Sequence, residues 1–410
     1  MIRRPKVIHI VTAASSVGLM RGQLAYLREA GFDVYVISSP GEKLQIAKNR
    51  EKVNVYAVPM EREISPLKDF VALWRLFLLM RRIKPVIVNV GTPKAGLLGG
   101  IAAYLARVPC RIYTLRGLRL ETAKGFKKNV LYICEKVAVF CAHRVLPVSN
   151  SLCRQAVSLG LLDPKKAHVI GKGSSNGIDV SRFASMNEGA LKHEKIRCQL
   201  GIPEDVPVIG FVGRLTKDKG IIELIKAYKV VKSAFPDVRL ILIGRYEEGD
   251  PVPQNIREEI KSDKNIIQTG YVNDVAPYYR IMDCLAFPTH REGLGNVALE
   301  AAAAGVPVVG TLATGVVDAV IHGETGLLSP IGDVKALADN LIWVLKDENL
   351  RKRLGNAGRK YVEEHFQSEY IWQELKDFYL KVLVECGVAE NNKEWGSLYN
   401  AAGEKYVKLQ

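Results

Sequence analysis

Residues 6–37 read KVIHIVTAASSVGLMRGQLAYLREAGFDVYVI, and this stretch decides the fold. Lys6–Thr12 is a β-rich apolar run that ends in a small-residue loop, Ala13–Gly18. Gln23–Ala30 carries a helical pattern, and Phe32–Ile37 reads as a second strand. A strand, a helix and a strand within about 30 residues make a βαβ unit, which requires a parallel sheet.

The alternation continues outward from there. Val53–Val58, Val86–Val90, Arg111–Leu115 and Val145–Val148 read as strands, with helices at Leu67–Ile83, Lys94–Ala106 and Val130–Ala142. The pattern then restarts. Val206–Val212 (VPVIGFV) is a new first strand, Gly220–Phe235 a helix and Val238–Ile243 the next strand. Ile266–Gln268, Cys284–Phe287 and Val306–Gly310 supply further strands, and Leu337–Leu345, Leu350–His365 and Tyr370–Val384 read as helices. A chain of 410 residues is too long for one ordinary core. The expectation is an α/β protein of two Rossmann-like, doubly wound parallel-sheet domains facing a cleft. They span 1–175 and 176–366, with a helix near 367–385 packing back on the first and a polar tail at 386–410. In such sheets ligands bind outside the carboxyl ends of the strands.

Composition narrows the class. The chain is 48% apolar and 25% charged, and no apolar run approaches the roughly 18 residues that span a bilayer. Met1–Lys6 is basic, but a strand pattern follows it without a cleavage site, so the chain reads as cytosolic. The seven cysteines are scattered without a C-x-x-C pair, which signals neither a disulfide framework nor a zinc site. Net charge is +15, and all of the excess lies in one half. Residues 1–175 hold 29 Lys and Arg against 10 Asp and Glu, while the remainder is slightly acidic. One half therefore meets an anionic partner, or carries a merely solubilising surface.

Two segments carry chemistry. Val208–Gly220 (VIGFVGRLTKDKG) runs a buried strand into Gly213, sets Arg214 at its carboxyl end and returns cations at Lys217 and Lys219. A guanidinium fork and a compact ammonium together suit a diphosphate, including the charge that builds on a leaving nucleoside diphosphate. A basic strand-to-helix loop facing water fits the same residues. Phe287–Gly305 (FPTHREGLGNVALEAAAAG) ends a strand, forms a loop at Glu292–Asn296 and opens a helix whose first amides suit an anion. Glu292 in the loop and Glu300 in the helix reach different parts of one ligand. Glu300, amid alanines, is either paired with a polar partner such as a ribose diol or turned to solvent.

The combination G-R-x4-K-G (Gly213 to Gly220) with E-x7-E (Glu292 to Glu300) resembles glycosyltransferase family 4, retaining enzymes of the GT-B fold. Gly305–Val309, His322–Leu328, Thr92–Gly96, Ser149–Ser151 and Asn176–Phe183 are similar as well. The last three resemble the capsule, exopolysaccharide and lipid-linked oligosaccharide branch. The resemblance implies residue roles: Arg214 and Lys219 on the donor diphosphate, Glu300 on the ribose and Glu292 beside the sugar. Gly213, Gly293, Leu294, Gly295, Asn296 and Val297 line the sugar and phosphates, and Tyr271 and Val272 contact the base. It implies a metal-independent hexosyltransferase with no cofactor, and the chain has no D-x-D. The mechanism it implies is front-face transfer, with the leaving phosphate helping to take the acceptor proton.

Two departures stand out. Relatives carry T-x-H-G where Thr114-Leu115-Arg116-Gly117 stands here. Arg116 cannot act as a base, but it suits a sugar, a phosphate or the acceptor, or else faces water in a basic loop. The usual Gly-Gly of the first loop is replaced by Ala13–Gly18, which leaves Gly18 for close approach of the donor. Asp318 also stands where Glu is usual.

In this fold the first domain takes the acceptor. Leu67, Phe70, Val71, Trp74, Phe77 and Leu78 lie at helical spacing among Arg75, Arg81 and Arg82, and Arg116, Arg119, Lys124, Lys127 and Lys128 form a second basic segment. These suit anionic inner-leaflet lipids, although sheet packing is the ordinary use of such apolar residues. The expectation is a nucleotide-sugar donor, with UDP favoured, an undecaprenyl-diphosphate-linked acceptor and peripheral attachment to the inner face of the cell membrane. No nucleic-acid-binding motif accompanies the charge. The alternatives are a UDP-sugar 2-epimerase of the same architecture and a nucleic-acid-binding protein. His143 and His168 read as structural; His290 either orients the Glu292 loop or faces solvent.

Overall fold

The computed structural model describes residues 4–61, 63, 65–184 and 190–388. The chain divides into two compact units, one ending at Gly177 and resuming at Ser368, the other spanning Ile178–Gln367. Most of the tail expected from 386 lies outside the described residues.

The first unit is a six-stranded parallel sheet of β1 (Lys6–Ile10), β2 (Asp33–Ser38), β3 (Asn54–Ala57), β4 (Ile87–Val90), β5 (Cys110–Leu115) and β6 (Arg144–Pro147), in the order β3-β2-β1-β4-β5-β6. Val7, Ile8, Ile10 and Val11 are all buried, so both faces of β1 are covered, as an unbroken apolar run requires. The helices are α1 (Gln23–Glu29), α2 (Glu42–Glu51), α3 (Pro66–Ile83), α4 (Pro93–Leu105), α5 (Gly125–Cys141) and α6 (Asn150–Ser158). The final helix, Ser368–Glu385, adds Ile371, Leu375, Phe378, Tyr379 and Leu383 to the same core. Tyr379 accepts a buried hydrogen bond from Asn89 at 2.7 Å.

The second unit repeats the winding. Its strands are β7 (Val208–Val212), β8 (Arg239–Ile243), β9 (Ile266–Gly270), β10 (Cys284–Phe287), β11 (Val308–Thr311) and β12 (Gly326–Ser329), ordered β12-β11-β10-β7-β8-β9 and paired in parallel. The strand order reverses between β1 and β4 in one sheet and between β7 and β10 in the other. Those switch points are where an open α/β sheet offers a crevice to ligands.

Three local readings change. Ala13–Gly18 is not an open loop: Ala14–Met20 forms a 3-10 helix with Val17 and Met20 buried. The helix expected at Val130–Ala142 begins at Gly125, because polar Lys127, Lys128 and Asn129 give no apolar period. In α3 the packing face is Ala72, Leu76, Met80 and Ile83, so the apolar residues expected against the sheet turn outward. Leu67 is 86% exposed, Phe70 68% and Trp74 55%, with Val71 and Leu78 also exposed. Among the described residues no helix is long and apolar enough to cross a membrane.

Candidate functional site

Chemistry concentrates at the carboxyl ends of β7 and β10. After β7 the chain turns at Gly213 and passes Arg214 into a single 3-10 turn, Lys217–Lys219, before the helix Ile221–Ala234. Lys217 is exposed, whereas Lys219 is drawn inward. Its Nζ lies 2.5 Å from Glu292 Oε1 and donates to the Arg291 carbonyl at 3.4 Å. Arg214 donates from Nη1 to Glu247 at 2.8 Å and sits 3.6 Å from Asp218. Burial works against the charge on Arg214, but Glu247 and Asp218 outweigh it and raise its pKa.

Asp218, between two lysines, is the residue that the motif reading missed. It accepts from Thr216 Oγ1 at 2.6 Å and from Arg291 Nη2 at 3.0 Å, and its backbone N–H donates to Asp250 at 2.7 Å. Burial would raise its pKa; the Thr216 hydroxyl and the cations Lys219, Arg291 and Arg214 more than reverse that, so it stays ionised. One carboxylate thus positions Arg214, orders the loop carrying Lys219 and ties it to Arg291 of the β10 loop. The signal in the sequence was an acid inside a basic loop. The backbones also interlock: the Asp218 carbonyl accepts from the His290 N–H at 2.9 Å. A Cβ on Gly220 would stand 2.0 Å from the Pro288 carbonyl oxygen.

The β10 loop is pinned at Thr289, whose carbonyl accepts from Thr311 Oγ1 at 2.5 Å, and at Glu292, whose N–H donates to the Thr314 carbonyl. His290 does not face water: it is half-buried 3.2 Å from Glu223, whose carboxylate raises the imidazole pKa. Gly293 packs against Gly315, where a Cβ would come within 2.7 Å of its carbonyl. Leu294 is buried and Gly295 is left-handed (φ 82°) at the start of the helix Asn296–Ala303. Gly295 offers no capping side chain and no acid lies in the first turn, so the helix does not itself neutralise its positive end at Asn296 and Val297. Glu300 is no solvent-facing helical acid. Tyr279 Oη donates to its carboxylate at 3.0 Å, and burial raises its pKa. Tyr271, after β9 and followed by partly buried Val272, is 51% exposed with the Arg245 guanidinium 5.1 Å over its ring.

The first unit is built differently at its switch point. Gly18 lies in the 3-10 helix, exposed, and a Cβ there would meet nothing within 4 Å. The start of α1, where a Rossmann-type sheet would hold phosphate, is already filled: Glu51 at the end of α2 accepts from the N–H groups of Gly22 (3.0 Å) and Ala25 (3.1 Å). Lys94 of the Thr92–Gly96 motif is tied to Asp69 at 2.7 Å. Ser149 caps α6 by accepting from the Leu152 N–H. Arg116 is not a freely exposed loop arginine; it is partly buried and lines a small pocket at the ends of β1, β4 and β5. His143 bonds Arg111 and His168 stacks on Phe378 at 4.6 Å, both structural. Among the described residues no group of three or more His, Cys, Asp or Glu is placed to hold a metal ion.

Two linked parallel sheets with cationic loops at one switch point place the chain among the doubly wound α/β proteins. Family comparison carries this further. Residues 192–361 match the model "Glycosyl transferases group 1" and residues 19–173 the "Glycosyl transferase 4-like domain". The capsular polysaccharide biosynthesis glycosyltransferase CapM of Staphylococcus aureus is 42% identical over 94% of this chain and 99% of its own length. The Escherichia coli UDP-Gal:alpha-D-GlcNAc-diphosphoundecaprenol alpha-1,3-galactosyltransferase is 29% identical over 82% of this chain and 85% of that one. Anabaena HepE, crystallised with UDP and glucose, has the same fold at a TM-score of 0.76 and 20% identity, covering 92% of this chain and 100% of that one. The chain belongs to glycosyltransferase family 4, with the GT-B fold.

Proposed function

We propose that the chain transfers a hexosyl group, with retention and without a metal, from a UDP-sugar to a polyprenyl-diphosphate-linked saccharide. The observation that carries this is the convergence of Arg214, Lys219 and a helix start with no acid of its own on the β7–β10 switch point. Donor oxygens enter where Lys219 and Arg214 are already held by carboxylates, and Glu292 is left beside the sugar. The Tyr279–Glu300 pair takes the ribose hydroxyls, and Tyr271 takes the base. In the chemical step the anomeric C–O bond to the β-phosphate breaks, and the acceptor oxygen bonds to the same carbon on the same face. The departing phosphate oxygen accepts the acceptor proton. Arg214, Lys219 and the helix start meet the charge developing on the diphosphate. The name of the Escherichia coli relative, with its diphosphoundecaprenol acceptor, supports a lipid-linked acceptor here.

Thermal unfolding with UDP- and GDP-sugars tests the donor, because a ligand bound only to the native state raises the midpoint. A rise with a UDP-sugar and none with GDP-sugars is expected; the reverse would overturn the choice of base. UDP release from a 2-acetamido sugar without any acceptor would instead indicate epimerisation.

The first unit serves the acceptor and docks on the anionic inner leaflet of the cell membrane. On α3 the exposed Leu67, Phe70, Trp74 and Leu78 stand among exposed Arg75, Arg81 and Arg82. On α5, Phe126, Ile133 and Phe140 are exposed with Lys127, Lys128 and Lys136. Apolar anchors flanked by cations suit a headgroup zone. The protein is expected to float with anionic vesicles and not with neutral ones, and the double variant F70E/W74E to lose at least about tenfold in binding. Equal binding to both vesicle types would sink the idea.

A further inference from the structure

The pocket at the switch point of the first sheet is lined by His9, Asn89, Thr114, Arg116, Ser174 and Ser175, with apolar neighbours around them. Arg116 follows β5 directly and folds inward over Gly91, where an added Cβ would stand 3.2 Å from its Nε. One guanidinium nitrogen donates to Ser175 Oγ, and Nε is buried with no partner. No carboxylate among the described residues pairs with it. Lys94 and Arg50, elsewhere in the first unit, both have one, at 2.7 Å each. Burial lowers the Arg116 pKa only to about 10, so the charge persists at neutral pH. Arg116 as a whole is partly buried, with its Nε fully covered, and a cation so placed without a counter-charge is costly and calls for an anion.

The surroundings are arranged around that charge. Burial and Arg116 hold His9 down to about 3, so the imidazole stays neutral and adds no second cation. Asn89 accepts from Thr114 Oγ1 at 2.7 Å and donates to Tyr379, while Gln23 donates to the Ser175 carbonyl at 2.6 Å. Those groups are committed to each other and to the wall. Ser174 has φ 123°, a region that side-chain-bearing residues rarely occupy. It is held there by the Val148 carbonyl, which accepts from its N–H, and by its own hydroxyl, which accepts from the N–H groups of Asn176 and Gly177. Backbone strain of this kind collects at ligand-binding sites.

We propose that this pocket, whose free space of about 10 Å³ admits one oxygen-sized group, receives a single anionic oxygen of a substrate carboxylate or phosphate, with Arg116 as its counter-charge and Ser175 as the neighbouring hydroxyl. The glycosyltransferase reading supplies only the candidate sources of that anion. The unpaired cation belongs to the first unit by itself.

The full chain and its R116Q variant separate the cases by thermal unfolding and calorimetric binding of UDP, UDP-glucose, UDP-glucuronate and a short-chain prenyl diphosphate. Glutamine keeps a donor for Ser175 and removes the charge. The unliganded variant is expected to unfold at a higher temperature than the parent and to bind one ligand class about 10- to 100-fold more weakly, the range of a hydrogen bond to a charged group. Selective loss for UDP-glucuronate places the anion on the donor sugar. Loss for the prenyl diphosphate alone places it on the acceptor, and equal loss for UDP and both UDP-sugars places it on the donor diphosphate. A variant that unfolds at a lower temperature and binds all four like the parent would make Arg116 a structural tether and overturn the proposal. Should R116Q fail to fold, R116K retains charge without the fork: weakened binding of one class supports the proposal, and unchanged binding of all four overturns it. Failure of both parent and variant to bind any UDP compound would count against the donor reading, with the prenyl diphosphate arm still deciding the pocket.

Discussion

Lys219→Met is expected to lower kcat roughly a thousandfold while the protein stays folded, the upper range for losing one preorganised stabiliser of developing charge. Lys219 is well placed for such an effect. Its side chain is 14% exposed, and its ammonium is held between the Glu292 carboxylate and the Arg291 carbonyl, so no reorganisation is needed when charge appears on the departing diphosphate. Methionine keeps the aliphatic stem and the volume. It also deprives Glu292, itself mostly covered, of its contacting cation where an anionic donor must enter. Both kcat and kcat/KM therefore fall. Steady-state rates with a UDP-sugar and a lipid-linked acceptor measure this, and a kcat within about threefold of the parent would remove Lys219 from the reaction.

The second large effect is on stability. Gly220→Ala is expected to cost about 3 kcal/mol or more, through two independent causes. Gly220 sits at φ 72°, in the left-handed region, and its added methyl would stand 2.0 Å from the Pro288 carbonyl oxygen. That oxygen is backbone and cannot rotate aside. Relief requires the β7 and β10 loops to part, which pulls on the His290–Asp218 bond and the whole cation cluster. For a unit of this size the midpoint falls by about 6–12 °C. Unfolding followed by circular dichroism checks it, and a shift under about 2 °C would show that the loops are not locked together at this point.

Much of the frame was legible from residue pattern alone, because buried parallel strands are unbroken apolar runs. β1, β2, β7, β8 and β10 announce themselves in this way. What stayed hidden has identifiable physical causes. Helix α2 is largely polar, with only Leu44, Ala47 and Glu51 buried, so it shows little periodicity. β12 contributes four residues beginning with glycine. In α3 two apolar faces share one helix, and sequence could not tell which of them meets the sheet. At the site, Arg214, Lys219, Glu292 and Glu300 were readable as motif positions. Lys219 and Glu292 are in contact, and Glu300 bonds Tyr279 rather than either of them. Asp218 and Arg291 act through neighbours distant in sequence, which spacing does not encode. Arg116 was visible as a departure, but only the fold showed that its Nε is buried without a partner.

Glu51 gives the two halves different fates. Both sheets carry the same winding, and each could in principle cradle a nucleotide at its own first crossover. In one half a carboxylate from a neighbouring helix occupies that cradle with a permanent internal mimic of the missing ligand. The symmetry of a duplicated architecture is thereby broken at a single residue. On the proposed reading, nucleotide then goes to the other lobe, and this one is left to specialise in whatever receives the sugar.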